Sequence, residues 1–188
     1  DIGIDSASCE AAVGLADRYD GVFAAVGIHP HDASQVSDAV IDRLEGLAQH
    51  PKVVAIGEIG LDFYRNRSPR EAQVEAFQRQ LALASKLGLP VVIHSRDADD
   101  EVFDILHRWA QGVEKRDGGI GVLHCFSGDS ALGGRYIDMG FRISFAGPVT
   151  YPRSSAASVA AELPLEGMLI ETDCPFLSPQ THRGKRNE

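Results

Sequence analysis

Four times in this chain an apolar, β-like run ends on a side chain able to bind a divalent metal. The runs are Val54-Ala55-Ile56-Gly57-Glu58, Val91-Val92-Ile93-His94, Gly121-Val122-Leu123-His124 and Met168-Leu169-Ile170-Glu171-Thr172-Asp173. Glu58, His94, His124 and Asp173 are 36, 30 and 49 residues apart, and a helix-like stretch follows each run. Alternating strands and helices fold with a parallel sheet. In a (β/α)8 barrel, catalytic and metal-binding side chains collect at the C-terminal ends of the strands. One chemistry recurring at one point of four units therefore constrains fold and site together.

Seven strand-like runs can be marked, at Asp1–Asp5, Val22–Ile28, Val53–Glu58, Val91–His94, Gly121–Cys125, Phe141–Ala146 and Met168–Thr172. Most are continuously apolar, as strands covered on both faces are. Helices are expected at Ser8–Tyr19, Ser37–Gln49, Asp97–Trp109, Ser130–Met139 and Ser154–Leu163, with the strongest starting at Ser68-Pro69-Arg70-Glu71. There Ser68 reads as the N-cap, Glu71 as its capping-box partner, and Gly88 and Pro90 as the stop. The polar segment 180–188 reads as a loop. Eight strands and about 250 residues close a barrel of this kind. The expectation is one domain over residues 1–188, a TIM-type (β/α)8 barrel with about seven of its eight strands.

A net charge of −9 argues against tight binding along duplex DNA, which needs a broad basic surface. It leaves open a nucleic acid held locally, because two bound divalent ions would add about four positive charges. Three scattered cysteines fit a reducing, cytoplasmic setting better than a disulfide framework. No run of about 18 apolar residues is present, so no membrane contact is expected.

Glu and His suit borderline metals such as Zn or Mn, and a carboxylate-rich site also accepts Mg. Glu58 is the natural bridge between two ions. Related two-metal barrels use a carboxylated lysine at a strand end, and none of Lys52, Lys86, Lys115 and Lys185 has that position. Asp173 is the acid best placed to take a proton from water. Glu171, two residues earlier, carries less weight, and Asp62 reads as a turn residue. Cys125 and Cys174 alternate with the site residues and should face the helix layer. His29 and Arg96 are substrate-side candidates, as is Arg183 in the basic cluster Arg183-Gly184-Lys185-Arg186, while His31 reads as structural or at the rim.

Five motifs carry a family resemblance. Gly-Ile-His-Pro-His-Asp at 27–32, Gly-Glu-Ile-Gly-Leu-Asp at 57–62, Val-Ile-His-Ser-Arg at 92–96, Leu-His-Cys-Phe-Ser-Gly at 123–128 and Glu-Thr-Asp-Cys-Pro-Phe-Leu at 171–177 resemble those of TatD metal-dependent hydrolases, in the same order. The resemblance implies one or two divalent ions (Mg, Mn or Zn) on Glu58, His94, His124 and Asp173. Asp173 and Glu58 would be the catalytic carboxylates. The implied activity is a deoxyribonuclease, exonucleolytic in habit, acting on single strands or ends by attack of a metal-activated water. The family's opening strand with its His-x-His pair, and its closing helices, are not seen here, so an internal fragment is expected. Two alternatives stand beside this: hydrolysis of an ester or amide, such as aminoacyl-tRNA deacylation, and an inactive fragment lacking the N-terminal ligands.

Overall fold

The computed structural model describes residues 1–114 and 118–188, so Lys115 lies outside the described residues. Among them the chain forms two compact units, Asp1–Gly121 and Val122–Glu188.

In the first unit, strands β1 (Ala24–Val26), β2 (Val53–Asp62) and β3 (Val91–Arg96) lie side by side in that order. Both pairings are parallel. Helices α1 (Ser6–Arg18), α2 (Asp38–Leu47), α3 (Arg70–Leu87) and α4 (Asp99–Ala110) alternate with them. The sheet contributes Ile56, Ile59, Leu61 and Ile93 to the core, met by Phe77 and Leu81 of α3 and Leu106 of α4. Burying such side chains contributes roughly 1.5–3 kcal/mol each.

The strand expected over Asp1–Asp5 is reduced to one bridge, Ile2 to Ala25. Asp5 is drawn away from the sheet to cap α1. Its carboxylate accepts from Ser8 N (2.7 Å), and the Ser8 hydroxyl accepts in return from Asp5 N (3.0 Å). This reciprocal pair satisfies donors the first helical turn leaves orphaned.

Strand β2 runs four residues past its expected end at Glu58. The register steps from Ile56 opposite Val91 to Ile59 opposite Ile93, so Gly57-Glu58 forms a bulge, and pairing continues to Asp62 opposite Arg96. A Cβ on Gly57 would lie 2.5 Å from Val92 Cβ, and one on Gly60 (φ +143°) would lie 2.0 Å from the His94 carbonyl oxygen. The glycines admit the neighbouring strand closely instead of ending their own.

The expected Ser68 cap is not made. Helix α3 follows Pro69 without a side-chain cap. The Ser68 hydroxyl instead donates to His31 O (2.8 Å) and accepts from Ser34 N (3.2 Å) in the 3-10 turn Pro30–Gln35. A tertiary contact has taken the side chain that the local pattern assigned to the helix.

The second unit carries β4 (Gly121–Leu123, of which Gly121 ends the first unit), α5 (Ser130–Met139), β5 (Phe141–Phe145), α6 (Ala156–Glu162) and β6 (Met168–Ile170). Strands β5 and β6 pair in parallel. Leu123, Tyr136, Phe141 and Ile143 fill its core, with the Tyr136 and Phe141 rings edge to face at 5.9 Å. Strands β4 and β6 stop short of the expected Cys125 and Thr172. Cys125 turns to a positive φ of 46°, which breaks the strand geometry. The tail expected as a loop holds a short 3-10 turn, Gln180–His182, and buries Asn187, whose side chain donates to Phe176 O (2.8 Å). Among the described residues no helix is long and apolar enough to cross a membrane.

Candidate metal centre

In the first unit His29, in the segment after β1, meets Glu58 of β2 and His94 of β3, three ionisable side chains singled out from the sequence. Single donor atoms from His29, Glu58 and His94 all lie within 4.8 Å of one another. His94 Nδ1 is 2.8 Å from Glu58 Oε1, and His29 Nε2 is 3.7 Å from the same oxygen. Extending β2 adds Asp62, whose side chain is only 1% exposed. Its Oδ2 meets His94 Nε2 at 3.3 Å and His31 Nε2 at 2.8 Å, while Oδ1 accepts from Arg65 N at 2.6 Å. His94 thus lies between two carboxylates, one at each ring nitrogen.

Helix α3 fixes these strand ends with two buried glutamines. Gln73 Oε1 accepts from Asp62 N (2.8 Å), and its Nε2 donates to the carbonyls of Asp62 and Ser68. Gln80 Oε1 accepts from Ile28 N (2.7 Å), and its Nε2 donates to Ile28 O (3.1 Å). Buried polar side chains must be paired. Here the pairing sets the backbone immediately before His29 and at Asp62. The sequence reading missed both, because a glutamine inside an apolar helical stripe gives no local sign of its partner.

Charge follows from this geometry. Burial lowers the His29 pKa to about 3, helped by the neighbouring His94 and His31, so its imidazole is neutral. Its Nδ1 accepts the His31 backbone N–H at 3.1 Å. The ring proton of the neutral form therefore sits on Nε2, the nitrogen facing Glu58. That tautomer makes His29 a donor toward the cluster and gives it no free lone pair there. Burial opposes charge on His94, yet its hydrogen bonds to the Asp62 and Glu58 carboxylates raise its pKa above the ordinary imidazole value. Burial likewise opposes the Asp62 carboxylate, and the contacts with His94, Arg65 N and His31 outweigh it and hold the group well below the usual range.

The second unit repeats the arrangement with its own residues. His124 Nδ1 meets Glu171 Oε2 at 2.5 Å, and His124 Nε2 is 3.5 Å from Asp173 Oδ1. The other Glu171 oxygen accepts from Cys125 N at 2.6 Å. Burial would raise the Glu171 pKa, but His124 and the Cys125 N–H lower it on balance. Glu171 is thus the orienting partner of His124. Its position two residues before Asp173, on the same side of an extended chain, was the available signal.

The substrate-side candidates are placed differently. Arg96, the last residue of β3, stacks on Tyr64 with its guanidinium carbon 4.0 Å from the ring centroid. Arg183 stacks on Tyr151 at 4.4 Å in the second unit. Cys174, expected in the helix layer, is exposed and its thiol donates to Asn187 O (2.9 Å). Strand β6 has already ended at Ile170, so strand alternation does not reach Cys174.

A family model described as TatD related DNase matches residues 1–188. The chain is 41% identical over its whole length to the uncharacterized metal-dependent hydrolase YabD of Bacillus subtilis, of which it spans 72%. It is 39% identical to the 3'-5' ssDNA/RNA exonuclease TatD of Klebsiella pneumoniae over 99% of this chain and 71% of that protein. Among solved structures, YjjV, a TatD homolog from Escherichia coli, superposes with a TM-score of 0.90 at 33% identity, covering all of this chain and 71% of that one. The (β/α) barrel class expected from the sequence accords with that superposition.

Proposed function

The chain belongs to the TatD related DNase family, and from that premise we propose that it is a metal-dependent hydrolase cleaving phosphodiester bonds of DNA, as single strands or at ends. The observation that carries this reading is His94 bracketed by Glu58 and Asp62, with His29 beside Glu58.

The donor set fits a divalent ion. Glu58 and His94 in the first unit, and His124 and Asp173 in the second, are the residues that would hold metal. They are carboxylate oxygens and imidazole nitrogens, and each histidine is oriented by a further carboxylate, the supporting arrangement metal-ligating imidazoles use. A bound divalent ion supplies positive charge for the phosphoryl oxygens and lowers the pKa of water.

The chain's own residues do the rest. Asp173 accepts a proton from the attacking water as the water oxygen bonds to phosphorus; the ester P–O bond breaks, and the departing sugar oxygen takes a proton from solvent to leave as a hydroxyl. His29 donates its Nε2 proton in a hydrogen bond to a phosphate oxygen. Asp62 and Glu171 hold His94 and His124 in place. Arg96 and Arg183 are the cationic partners of the phosphate backbone.

Hydrolysis of end-labelled single-stranded DNA with Mg²⁺ or Mn²⁺, and with EDTA, tests the reading. Metal-dependent cleavage that falls at least about 100-fold in Asp173→Asn is expected. Cleavage that survives EDTA would overturn it. No cleavage by metal-loaded, folded protein would shift the reaction to an ester or amide.

A further inference from the structure

Residues 63–70, Phe-Tyr-Arg-Asn-Arg-Ser-Pro-Arg, span the loop between β2 and α3 and the first residue of that helix, Arg70. They hold three arginines and no acid, in a chain with 18 basic and 27 acidic residues. Tyr64, the loop's second residue, is 58% exposed. One cation is already stacked on it, the Arg96 guanidinium at 4.0 Å, and Arg65 approaches at 5.9 Å. The loop backbone is fixed at two points of the site. Phe63 N donates to Arg96 O (2.9 Å), and Arg65 N donates to the Asp62 carboxylate (2.6 Å). An exposed tyrosine held by an arginine, two residues past the carboxylate that orients His94, contributes nothing to the core.

We propose that this loop is a landing platform for single-stranded nucleic acid, with a base stacked on Tyr64 and the adjoining phosphates on Arg65, Arg67 and Arg96. Aromatic rings joined to a cationic track are how proteins grip single strands without reading their sequence, since every base has a stacking face. Arginine adds cation–π attraction to the ring it covers and hydrogen bonds to phosphate. A base stacked two residues from Asp62 sets where the strand lies against the cluster of His29, Glu58 and His94. The inference rests on the phosphodiesterase reading above and adds to it the determinant of substrate grip.

The test compares a 12-nucleotide oligo-dT with an abasic strand of equal length, on the full chain loaded with Mn²⁺. Tyr64→Ala is expected to raise KM for oligo-dT about 5- to 150-fold with kcat held, from the usual strength of one stacked base. Tyr64→Phe restores it, because the ring and not the hydroxyl does the stacking. KM for the abasic strand is expected to ignore Tyr64 and to rise with Arg65→Ala. An unchanged KM for oligo-dT in Tyr64→Ala would overturn the platform while leaving the nuclease reading intact. A fall in kcat alone, or an equal effect on the abasic strand, would also overturn it. If the unaltered chain cleaves neither strand, the nuclease reading fails first, and fluorescence anisotropy of labelled oligo-dT in EDTA decides the platform. Binding that Tyr64→Ala loses supports it, and no binding overturns it.

Discussion

The two units hold the same device in two settings. In the first, His94 has Glu58 at Nδ1 and Asp62 at Nε2, at 2.8 and 3.3 Å. In the second, His124 has Glu171 at Nδ1 and Asp173 at Nε2, at 2.5 and 3.5 Å. The supports differ. Glu58 and Asp62 both belong to the ten-residue strand β2, whose bulge redirects Glu58 and whose end is bolted to α3 through Gln73. Glu171 and Asp173 lie just beyond the three-residue β6, where Ile170 is 93% exposed. Their side chains are 21% and 27% exposed, against 1% for Asp62. The carboxylate–histidine–carboxylate arrangement is thus held once on a long buried strand and once beyond a short one, and each setting adds a backbone donor, Arg65 N to Asp62 and Cys125 N to Glu171.

This contrast can be broken at several levels. The largest effect belongs to the histidines. His94→Ala and His124→Ala are each expected to lower Mn²⁺ affinity by more than the roughly 10–100-fold typical of losing a supporting partner. Equal losses would show the two settings to be equivalent in function despite their different support, and a silent His124→Ala would break the parallel. Next comes packing. Ile59→Ala in β2 should cost about 2–5 kcal/mol in urea unfolding, from the cavity it leaves, whereas Ile170→Ala on β6 should stay within about 0.5 kcal/mol. Smaller again is Gln73→Leu, which strips the partner from the Asp62 N–H and should cost about 1–3 kcal/mol. The supporting carboxylate Glu171→Gln should leave stability near the original and weaken metal binding instead.

The smallest effect is electrostatic. In the metal-free chain the raised His94 pKa means that the folded form holds a proton more tightly than the unfolded one. Its stabilising contribution is full below the ordinary imidazole value near 6.5 and is lost as pH rises through the raised value. The urea midpoint in EDTA, compared between the unaltered chain and His94→Gln, should therefore converge at alkaline pH.

Much of the fold was legible because burial writes itself into local periodicity. Helix α5 matches the expected Ser130–Met139, and the other helices start or stop within about two residues of their expected ends. The illegible parts are those where a distant segment decides. Glycines at 57 and 60 resemble strand breakers, and only the approach of β3 makes them strand residues, which is why Asp62 looked like a turn. Ser68 had the sequence of a cap and found His31 instead. At the site, the residue types of Glu58, His94, His124 and Asp173 were readable, but the strand ends were not: β2 and β3 run on to Asp62 and Arg96, and β4 and β6 stop before His124 and Asp173. Which carboxylate meets which ring nitrogen, and the proton placement on His29, depend on partners 29 to 49 residues away or on a backbone turn, and those leave no local pattern.

The most direct measurement is calorimetric titration of EDTA-stripped, folded chain with Mn²⁺, beside His94→Ala. The account predicts saturable binding of one or two ions per chain that His94→Ala removes or weakens beyond 100-fold. No saturable binding, or binding unchanged in His94→Ala, would contradict it.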